Sequence, residues 1–477
     1  MRFKNIAQAI LPVFFVLLLA LQAQAQKTAT ITGKISNPVS DSALVELYTL
    51  PASYVGKSFT AALNASGEFK ITVPLAEPMV AELVHGPESM ILFLQPGNDL
   101  DVRVNAEDFL NSIKYKGSGA NENTYLVQFE LKFEEEEDYQ VLPNNVYKKE
   151  GEFLQFLEER RQDQKNFFEK YVKKTPVSEA FKNYAKAQME YSYANDRLTY
   201  VEVRNRVGGL TPKLSASYYD YLKKMDLNLP GATRNQAYLD FLINYFQFKA
   251  LGDRRGNVEK DYYPIMYKMV KEELKGPAKD MMMSRIISQS ARFGYIPDTD
   301  AMFADFKKQV QDPQYLTYVQ NQYKQYQKVG MGSQAPDFTL LSASGDSISL
   351  QHLKGKLVYL GFWRPLCGIC QVDQQAYKYF VNQLAEKGIT FVQVTVGEEL
   401  ANWKKTLQEK NYPGMQLYSP DMEDQVVRAY EVKNFPSYFL ISPEGTIIKT
   451  NARRPGYAEG AREIAHLVDQ YRDSRTK

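Results

Sequence analysis

The hydrophobic patterning changes twice along this 477-residue chain, and each change marks a different class of structure. Short apolar runs alternate with turn residues up to about residue 118, whereas the spacing of apolar residues between 119 and 330 is helical. From residue 331 onward, strand-like and helix-like segments alternate. We therefore predict a multidomain protein with an N-terminal β-sandwich-like domain (26–118), a central all-α region (119–330) and a C-terminal α/β domain (331–477).

The first region contains six runs that are rich in β-branched and apolar residues, which predicts strands. They are Thr28–Ile35, Ala43–Tyr48, Phe69–Val73, Met79–Val84, Met90–Leu94 and Leu100–Val104. Gly117-Ser118-Gly119-Ala120 then predicts a linker to the helical region. In the last region, strands at Leu357–Trp363 and Ile389–Val396 enclose a predicted helix, so we expect a layered fold around a mostly parallel sheet.

The first 25 residues have the pattern of a secretory signal. Arg2 and Lys4 precede the apolar run Ile10–Leu21, and Ala23-Gln24-Ala25 follows as a cleavage site. The apolar run is too short to cross about 30 Å of hydrocarbon comfortably. We expect the mature protein to be exported to the periplasm or cell envelope, and an uncleaved membrane anchor is the alternative.

The charge balance argues against nucleic acid as a partner. The chain carries 58 basic and 56 acidic residues, and removing residues 1–25 with their two basic side chains leaves no net charge. Phosphate binding requires concentrated Lys and Arg. The only three histidines lie far apart, at positions 85, 352 and 466, so no His-rich metal site is expected.

Cys367 and Cys370 are the only cysteines, and they are separated by two residues. A disulfide that closes such a short loop constrains the unfolded chain little, so structural cross-linking explains the pair poorly. A structural zinc site would need more ligands than the sequence offers nearby. Redox chemistry remains, and Cys-x-x-Cys is its common motif.

The motifs of the last 147 residues combine into a recognisable order. Ala335-Pro336-Asp337-Phe338, a strand ending in Phe362-Trp363, Cys367-Gly368-Ile369-Cys370, Phe435-Pro436 and Pro443-Glu444-Gly445 follow one another. This order resembles the thioredoxin-like family, above all exported thiol-disulfide oxidoreductases of the TlpA and ResA type. The resemblance implies a thioredoxin-like fold, exchange between dithiols and disulfides, and no cofactor.

Roles for individual residues follow from the helix expected near Cys367. A helix N-terminus favours thiolate, so we predict that Cys367 is the nucleophile and Cys370 the resolving thiol of a redox-active disulfide. Asp373 lies one turn after Cys370 and is either a proton carrier for it or a solvated acid. Trp363 and Pro365 are expected to shape the rim of the site and to contact the substrate.

The resemblance assigns Phe435 and Pro436 to a cis-proline loop that contacts the substrate, with an ordinary trans turn as the alternative. Arg364 is either a solvated side chain or a source of positive field for the thiolate. The expected clients are thiols and disulfides of envelope proteins. By likeness alone, the protein is a reductant that receives electrons from a membrane donor and serves cytochrome c maturation. The sequence leaves open whether residues 26–330 position the redox domain, recognise clients or mediate self-association.

The sequence departs from the family pattern at three places. Leu366 and Ile369 replace the Trp and Pro found around many family motifs, Gly361 stands where thioredoxins carry a buried acid, and Asp373 replaces a Glu. A peroxidase is disfavoured, because Arg364 and Leu360 occupy positions where peroxiredoxins have Thr or Ser and Pro. A non-catalytic envelope binding protein with a relic redox domain is the remaining alternative.

Overall fold

The computed structural model describes residues 28–50, 55–209, 211–252, 262–457 and 460–476. The predicted signal segment, residues 1–25, lies outside the described residues. The chain divides into two compact units: Met1–Glu259 with Glu272–Met281, and Lys260–Lys271 with Met282–Lys477. The predicted helical region is therefore shared between the units. Within the described ranges, no helix is long and apolar enough to cross a membrane.

The N-terminal part of the first unit consists of two four-stranded sheets. Its strands are β1 (Thr28–Ser36), β2 (Ser42–Leu50), β3 (Val55–Ala62), β4 (Glu68–Pro74), β5 (Met79–His85), β6 (Glu88–Leu94), β7 (Asp99–Asn105) and β8 (Lys114–Gly117). The strand orders are β4-β1-β7-β8 and β3-β2-β5-β6, and only the β1–β7 pairing among these is parallel.

Alternating burial along the strands places one face of each sheet in a shared apolar core. Ile31 and Val102 from the first sheet join Val45 and Leu83 from the second in this core, as in a β-sandwich. The sequence did not predict β3 or β8. Strand β3 carries Gly, Lys and Ser in its first half, and β8 has only four residues, so neither shows a clear two-residue period.

Before the C-terminal domain, the described residues contain nine α-helical segments. They are α1 (Phe109–Ser112), α2 (Ala120–Phe129), α3 (Glu150–Lys174), α4 (Glu179–Gly208), α5 (Gln236–Leu251), α6 (Tyr262–Glu273), α7 (Gly276–Arg292), α8 (Ile296–Phe306) and α9 (Pro313–Gln327). Their aromatic residues are mostly core: Tyr125 lies within 6 Å of the rings of Phe129, Phe168 and Phe181.

The predicted linker at Gly117–Ala120 is a hydrogen-bonded corner instead of a loose connection. Ser118 exchanges two hydrogen bonds with the backbone of Asp99, and Gly119 adopts a left-handed conformation just before α2. One turn into α2, the buried Asn123 amide accepts from the Phe93 N–H and donates to the Phe93 carbonyl. Helix α2 is thereby joined to strand β6.

The C-terminal domain is built on a seven-stranded sheet in the order β10-β9-β13-β12-β11-β14-β15. Its strands are β9 (Thr339–Ser342), β10 (Ser347–Ser349), β11 (Leu357–Trp363), β12 (Ile389–Val396), β13 (Met415–Ser419), β14 (Ser437–Ile441) and β15 (Ile447–Thr450), and its helices are α10 (Gly368–Gln383), α11 (Leu400–Lys410), α12 (Gln425–Ala429) and α13 (Gly460–Thr476).

The expectation of a mostly parallel sheet is wrong outside the three central strands. Strands β11, β12 and β13 are parallel, but every other pairing in this sheet is antiparallel. The outer strands come in pairs joined by short turns, β9 with β10 and β14 with β15, and a short turn can connect only antiparallel strands.

Both faces of this sheet are covered, so β11 is buried at all seven positions. Leu360 and Phe362 point into the apolar core on one face. Tyr359 on β11 and Tyr438 on β14 lie on the opposite face, together with Tyr377 and Phe380 of α10. Helix α10, which begins directly after the cysteine motif, is thus packed against the tyrosines of the sheet.

Candidate redox site

The site lies where β11 leads into α10. Cys367 is the N-cap residue of α10, and the N–H of Cys370 donates to its Sγ across 3.1 Å. An N-cap side chain satisfies a backbone donor that the first turn of a helix otherwise leaves free. The two sulfurs are joined in a disulfide, so the structure represents the oxidised form.

The two cysteines differ in their accessibility. Cys367 is half-buried, whereas Cys370 is completely buried. The residues beside them are apolar and unusually open, since Leu366 is 99% and Ile369 54% exposed. Cys367 is therefore open to contact by a partner molecule, whereas Cys370 is not.

A second loop approaches the disulfide from the β14 side. The peptide bond between Phe435 and Pro436 is cis, and the carbonyl oxygen of Phe435 lies 3.7 Å from Sγ of Cys367. The exposed guanidinium group of Arg364 is 5.7 Å from the centre of the Phe435 ring. The structure therefore brings Arg364, Phe435 and Pro436 to Cys367. Substrate binding by Phe435 and Pro436 stays a prediction.

Asp373 is buried, so the reading of this residue as a solvated helix acid is wrong. One carboxylate oxygen accepts from the Tyr438 hydroxyl at 3.0 Å, and the other accepts from the Gly456 N–H at 3.0 Å. Arg454 lies 3.7 Å from the second oxygen. Burial raises the pKa of Asp373, although the Tyr438 hydroxyl, Arg454 and the Gly456 N–H act in the opposite direction.

The prediction that Trp363 lies at the rim of the site is wrong, because only 2% of this residue is exposed. Its ring packs edge-on against Tyr412, with the ring centres 5.6 Å apart. The apolar side chain ends a strand whose two faces are both covered, which explains its burial. Pro365 is half-buried, and its carbonyl accepts a hydrogen bond from Gln371 in the first turn of α10.

Tyr438, Arg454 and Gly456 are the residues around Asp373 that the sequence did not reveal. They lie 65 to 83 positions from Asp373 along the chain, and no motif connects them. Their only sequence signal is the proximity of Tyr438 to the predicted Phe435-Pro436 loop. Among the described residues, no group of three His, Cys, Asp or Glu side chains is arranged to hold a metal ion.

Comparison with known proteins gives consistent matches to the C-terminal domain. Residues 331–450 match the AhpC/TSA family. The thiol-disulfide oxidoreductase ResA of Bacillus subtilis is 36% identical over 130 residues, which are 26% of this chain and 68% of that protein. ResA of Geobacillus thermodenitrificans is 31% identical over 136 residues, which are 28% of this chain and 75% of that protein.

Among solved structures, the thioredoxin domain of a thiol-disulfide oxidoreductase from Bacteroides vulgatus is 26% identical to this chain. The match covers 30% of this chain and 97% of the Bacteroides vulgatus domain, with a TM-score of 0.26. The two ResA proteins are each more than 30% identical to this chain, which covers more than two thirds of their length. The chain therefore belongs to the ResA-type thiol-disulfide oxidoreductases, enzymes with a thioredoxin-like domain that here forms the C-terminal part.

Proposed function

We propose that Cys367 and Cys370 exchange electrons with disulfides and thiols of other exported proteins, with this protein acting as the reductant. The observation that carries this proposal is the asymmetry of the pair. The accessible sulfur of Cys367 caps a helix and receives a backbone N–H, while Cys370 is buried one turn further on. The first property favours a reactive thiolate, and the second suits a thiol that reacts only within the protein.

In this mechanism the reduced protein begins with Cys367 as a thiolate. Its sulfur attacks one sulfur of a client disulfide, the client S–S bond breaks, and the second client sulfur leaves as a thiolate that takes up a proton. Cys370 then loses its proton and attacks Sγ of Cys367, which forms the internal disulfide and releases the first client sulfur. The client gains two electrons, the protein loses two, and an external dithiol donor must restore the reduced pair.

Asp373 is proposed to accept the proton of Cys370 when that thiol attacks. It lies one helical turn after Cys370, and both residues are completely buried. Because burial raises the pKa of this carboxyl group, it binds a proton more readily than an exposed Asp does. Its carboxylate form is the acceptor, and its protonated form returns the proton when the disulfide is reduced again.

The client chain is proposed to lie across Leu366, Ile369 and the loop at Phe435–Pro436. The two apolar side chains are exposed beside Cys367, and the Phe435 carbonyl faces its sulfur. Pro365 and Pro436 fix the backbone on the two sides of the sulfur. An extended client segment would hydrogen-bond to backbone groups of this loop. The disulfide of the client would then lie in contact with the sulfur of Cys367.

Export of the protein and the donor of its electrons are further parts of the proposal. The signal pattern of residues 1–25 supports transfer to the cell envelope, where client disulfides persist. A membrane dithiol protein is the proposed donor, and cytochrome c maturation the proposed context, both by likeness to the family. The β-sandwich-like domain (26–118) and the helical region (119–330) are proposed to present the C-terminal domain to clients.

Trapping of mixed disulfides tests this function. In a Cys370→Ser variant, Cys367 still attacks clients but the complex cannot be resolved, so covalent adducts accumulate and disappear on treatment with a reductant. Cys367→Ser is the matched control, which retains one thiol in the motif but should capture nothing. If Cys370→Ser also captures nothing from an envelope extract, and neither variant changes the rate of thiol exchange, the proposed function is wrong.

A further inference from the structure

We propose that Tyr438 is the positioning residue that fixes the Asp373 carboxylate for the cysteine pair, and that Gly361 is required because it leaves room for the Tyr438 ring. This inference rests on the proposed proton transfer by Asp373, but its geometric part can be tested separately. It assigns roles to two residues that the cysteine motif does not include.

The sheet register places the two residues directly opposite each other. Gly361 on β11 pairs with Tyr438 on β14 in the antiparallel ladder. A Cβ atom added at Gly361 would lie only 2.6 Å from Cε1 and 2.8 Å from Cδ1 of the Tyr438 ring. Non-bonded carbon atoms normally approach to about 3.5–4.0 Å. Any side chain at position 361 would therefore displace the ring.

A second side chain also packs against the Tyr438 ring. The ring of Tyr359 stacks on it with the centres 5.2 Å apart and the planes inclined by 20°. The hydroxyl of Tyr359 donates to the carbonyl oxygen of Arg453 and is thereby held in place. With Gly361 beside it and Tyr359 stacked on it, the Tyr438 ring has little freedom to move, so its hydroxyl is fixed in position.

The Tyr438 hydroxyl supplies one of the two hydrogen bonds that hold the Asp373 carboxylate. Tyr438 donates to one oxygen of Asp373 and the backbone of Gly456 donates to the other, so neither oxygen can rotate away without losing a hydrogen bond. A Cβ atom at Gly456 would lie 2.5 Å from the carboxylate oxygen, so this glycine is needed for the close approach. The short Asp side chain is thus held from two directions.

The charged and titratable groups around Asp373 come from each neighbouring element. Arg454 faces it from the segment before α13, Tyr438 from β14 and Tyr359 from β11, and Tyr377 follows it on α10. Burial, assisted by the Asp373 carboxylate, raises the pKa of Tyr438 well above its usual value, so this tyrosine stays protonated and donates. Its donation stabilises the ionised form of Asp373.

Tyr438→Phe in the full-length protein tests the positioning role, because it removes the hydroxyl and keeps the ring. Titration of the Asp373 carboxyl group by infrared or carbon-13 NMR spectroscopy, with Asp373→Asn to assign the signal, should show a midpoint about one pH unit higher than in the wild type. Tyr418→Phe is the matched control, since it removes a hydroxyl of the same domain that donates to the backbone carbonyl of Glu398, and it should leave the midpoint in place.

Gly361→Ala tests the steric part. It should raise the Asp373 midpoint as Tyr438→Phe does, and it should lower the melting temperature. In a Tyr438→Ala background, the same Gly361→Ala change should lower the melting temperature much less, since no ring remains to collide with the new methyl group. Additive effects of the two changes would overturn the steric argument, even if Gly361→Ala alone folds poorly.

The outcomes separate this inference from the proposed function. An unchanged Asp373 midpoint in Tyr438→Phe overturns the inference, whether or not the protein exchanges disulfides. A raised midpoint together with a slower resolution step, measured as the decay of the mixed disulfide across a pH series, supports it. If the midpoint rises but the Asp373→Asn variant resolves clients at the wild-type rate, positioning is supported and proton transfer by Asp373 is wrong.

Discussion

The backbone N–H of Cys370 donates to Sγ of Cys367 across 3.1 Å, so the first turn of α10 directs a hydrogen bond at the sulfur that precedes it. This bond and the positive end of the helix dipole act on the same atom and favour its ionised form in the reduced protein. The ionised form of Cys370 is not stabilised in this way, because Cys370 lies inside the first turn and is fully buried.

Replacing Leu366 by Ser should slow the reduction of protein disulfides several-fold without changing stability. The side chain is 99% exposed beside Cys367, so it contributes little to the fold but offers apolar surface to a client. The measurement compares rates with a protein disulfide and with a small disulfide, which should be unaffected. Tyr379→Ser, an exposed apolar change further along α10, is the control, and an equal loss in both variants would contradict client docking here.

Asp373→Asn should change the pH dependence of stability in a defined direction. Burial raises the pKa of Asp373 in the folded state above its unfolded value, so protonation favours folding. The free energy of unfolding of the wild type, relative to the variant, should therefore rise as the pH falls from neutral through the folded-state pKa, and level off below the unfolded value. Fluorescence suits this measurement, because Trp363 and Trp403 are the only tryptophans and both belong to the C-terminal domain.

Asp305→Asn supplies a control of opposite sign for this experiment. Burial disfavours the charge of Asp305, but hydrogen bonds from Lys271 and Tyr267 and the charge of Lys271 outweigh it and lower the pKa. The wild type should consequently lose stability relative to Asp305→Asn as the pH falls. The account of Asp373 would be contradicted if the free energy of unfolding of the wild type, relative to each variant, changed with pH in the same direction for both variants.

Asn123→Ala should loosen α2 from the two sheets of the N-terminal region. The change removes both partners of the Phe93 backbone, leaves buried polar groups unsatisfied and should cost about 1–3 kcal/mol. Hydrogen exchange of peptides from residues 119–130 should accelerate accordingly. Asn121→Ala is the matched control, because its exposed side chain makes a single bond to the Pro176 carbonyl. Equal exchange in the two variants would indicate that the corner is not held by Asn123.

The predictable parts of the fold were those with uninterrupted apolar runs. The bounds of β11 and β12 agree with the predicted strands, because burial on both faces of the sheet demands continuous apolar strands. Strands β9 and β10 have four and three residues, too few for a period to emerge, and they supply part of the antiparallel edge that was not foreseen.

The site was predictable where it is local in sequence and not where it depends on tertiary packing. Cys367, Cys370 and Phe435-Pro436 lie in recognisable motifs, and the structure brings them together. The environment of Asp373 depends on a cross-strand partner of Gly361 and on a backbone N–H from Gly456, neither of which has a local signature. The burial of Trp363 likewise follows from the covering of both sheet faces.

The ionisation of Cys367 in the reduced protein tests the central claim most directly. Its alkylation rate is measured across a pH series in the Cys370→Ser variant, with Cys367→Ser reporting on the buried thiol alone. We predict that Cys367 is half-ionised below about pH 8.5, the ordinary value for a free cysteine, and that Cys370 reacts slowly at every pH. A Cys367 thiol that stays protonated near neutral pH and titrates at or above the ordinary value would contradict the account.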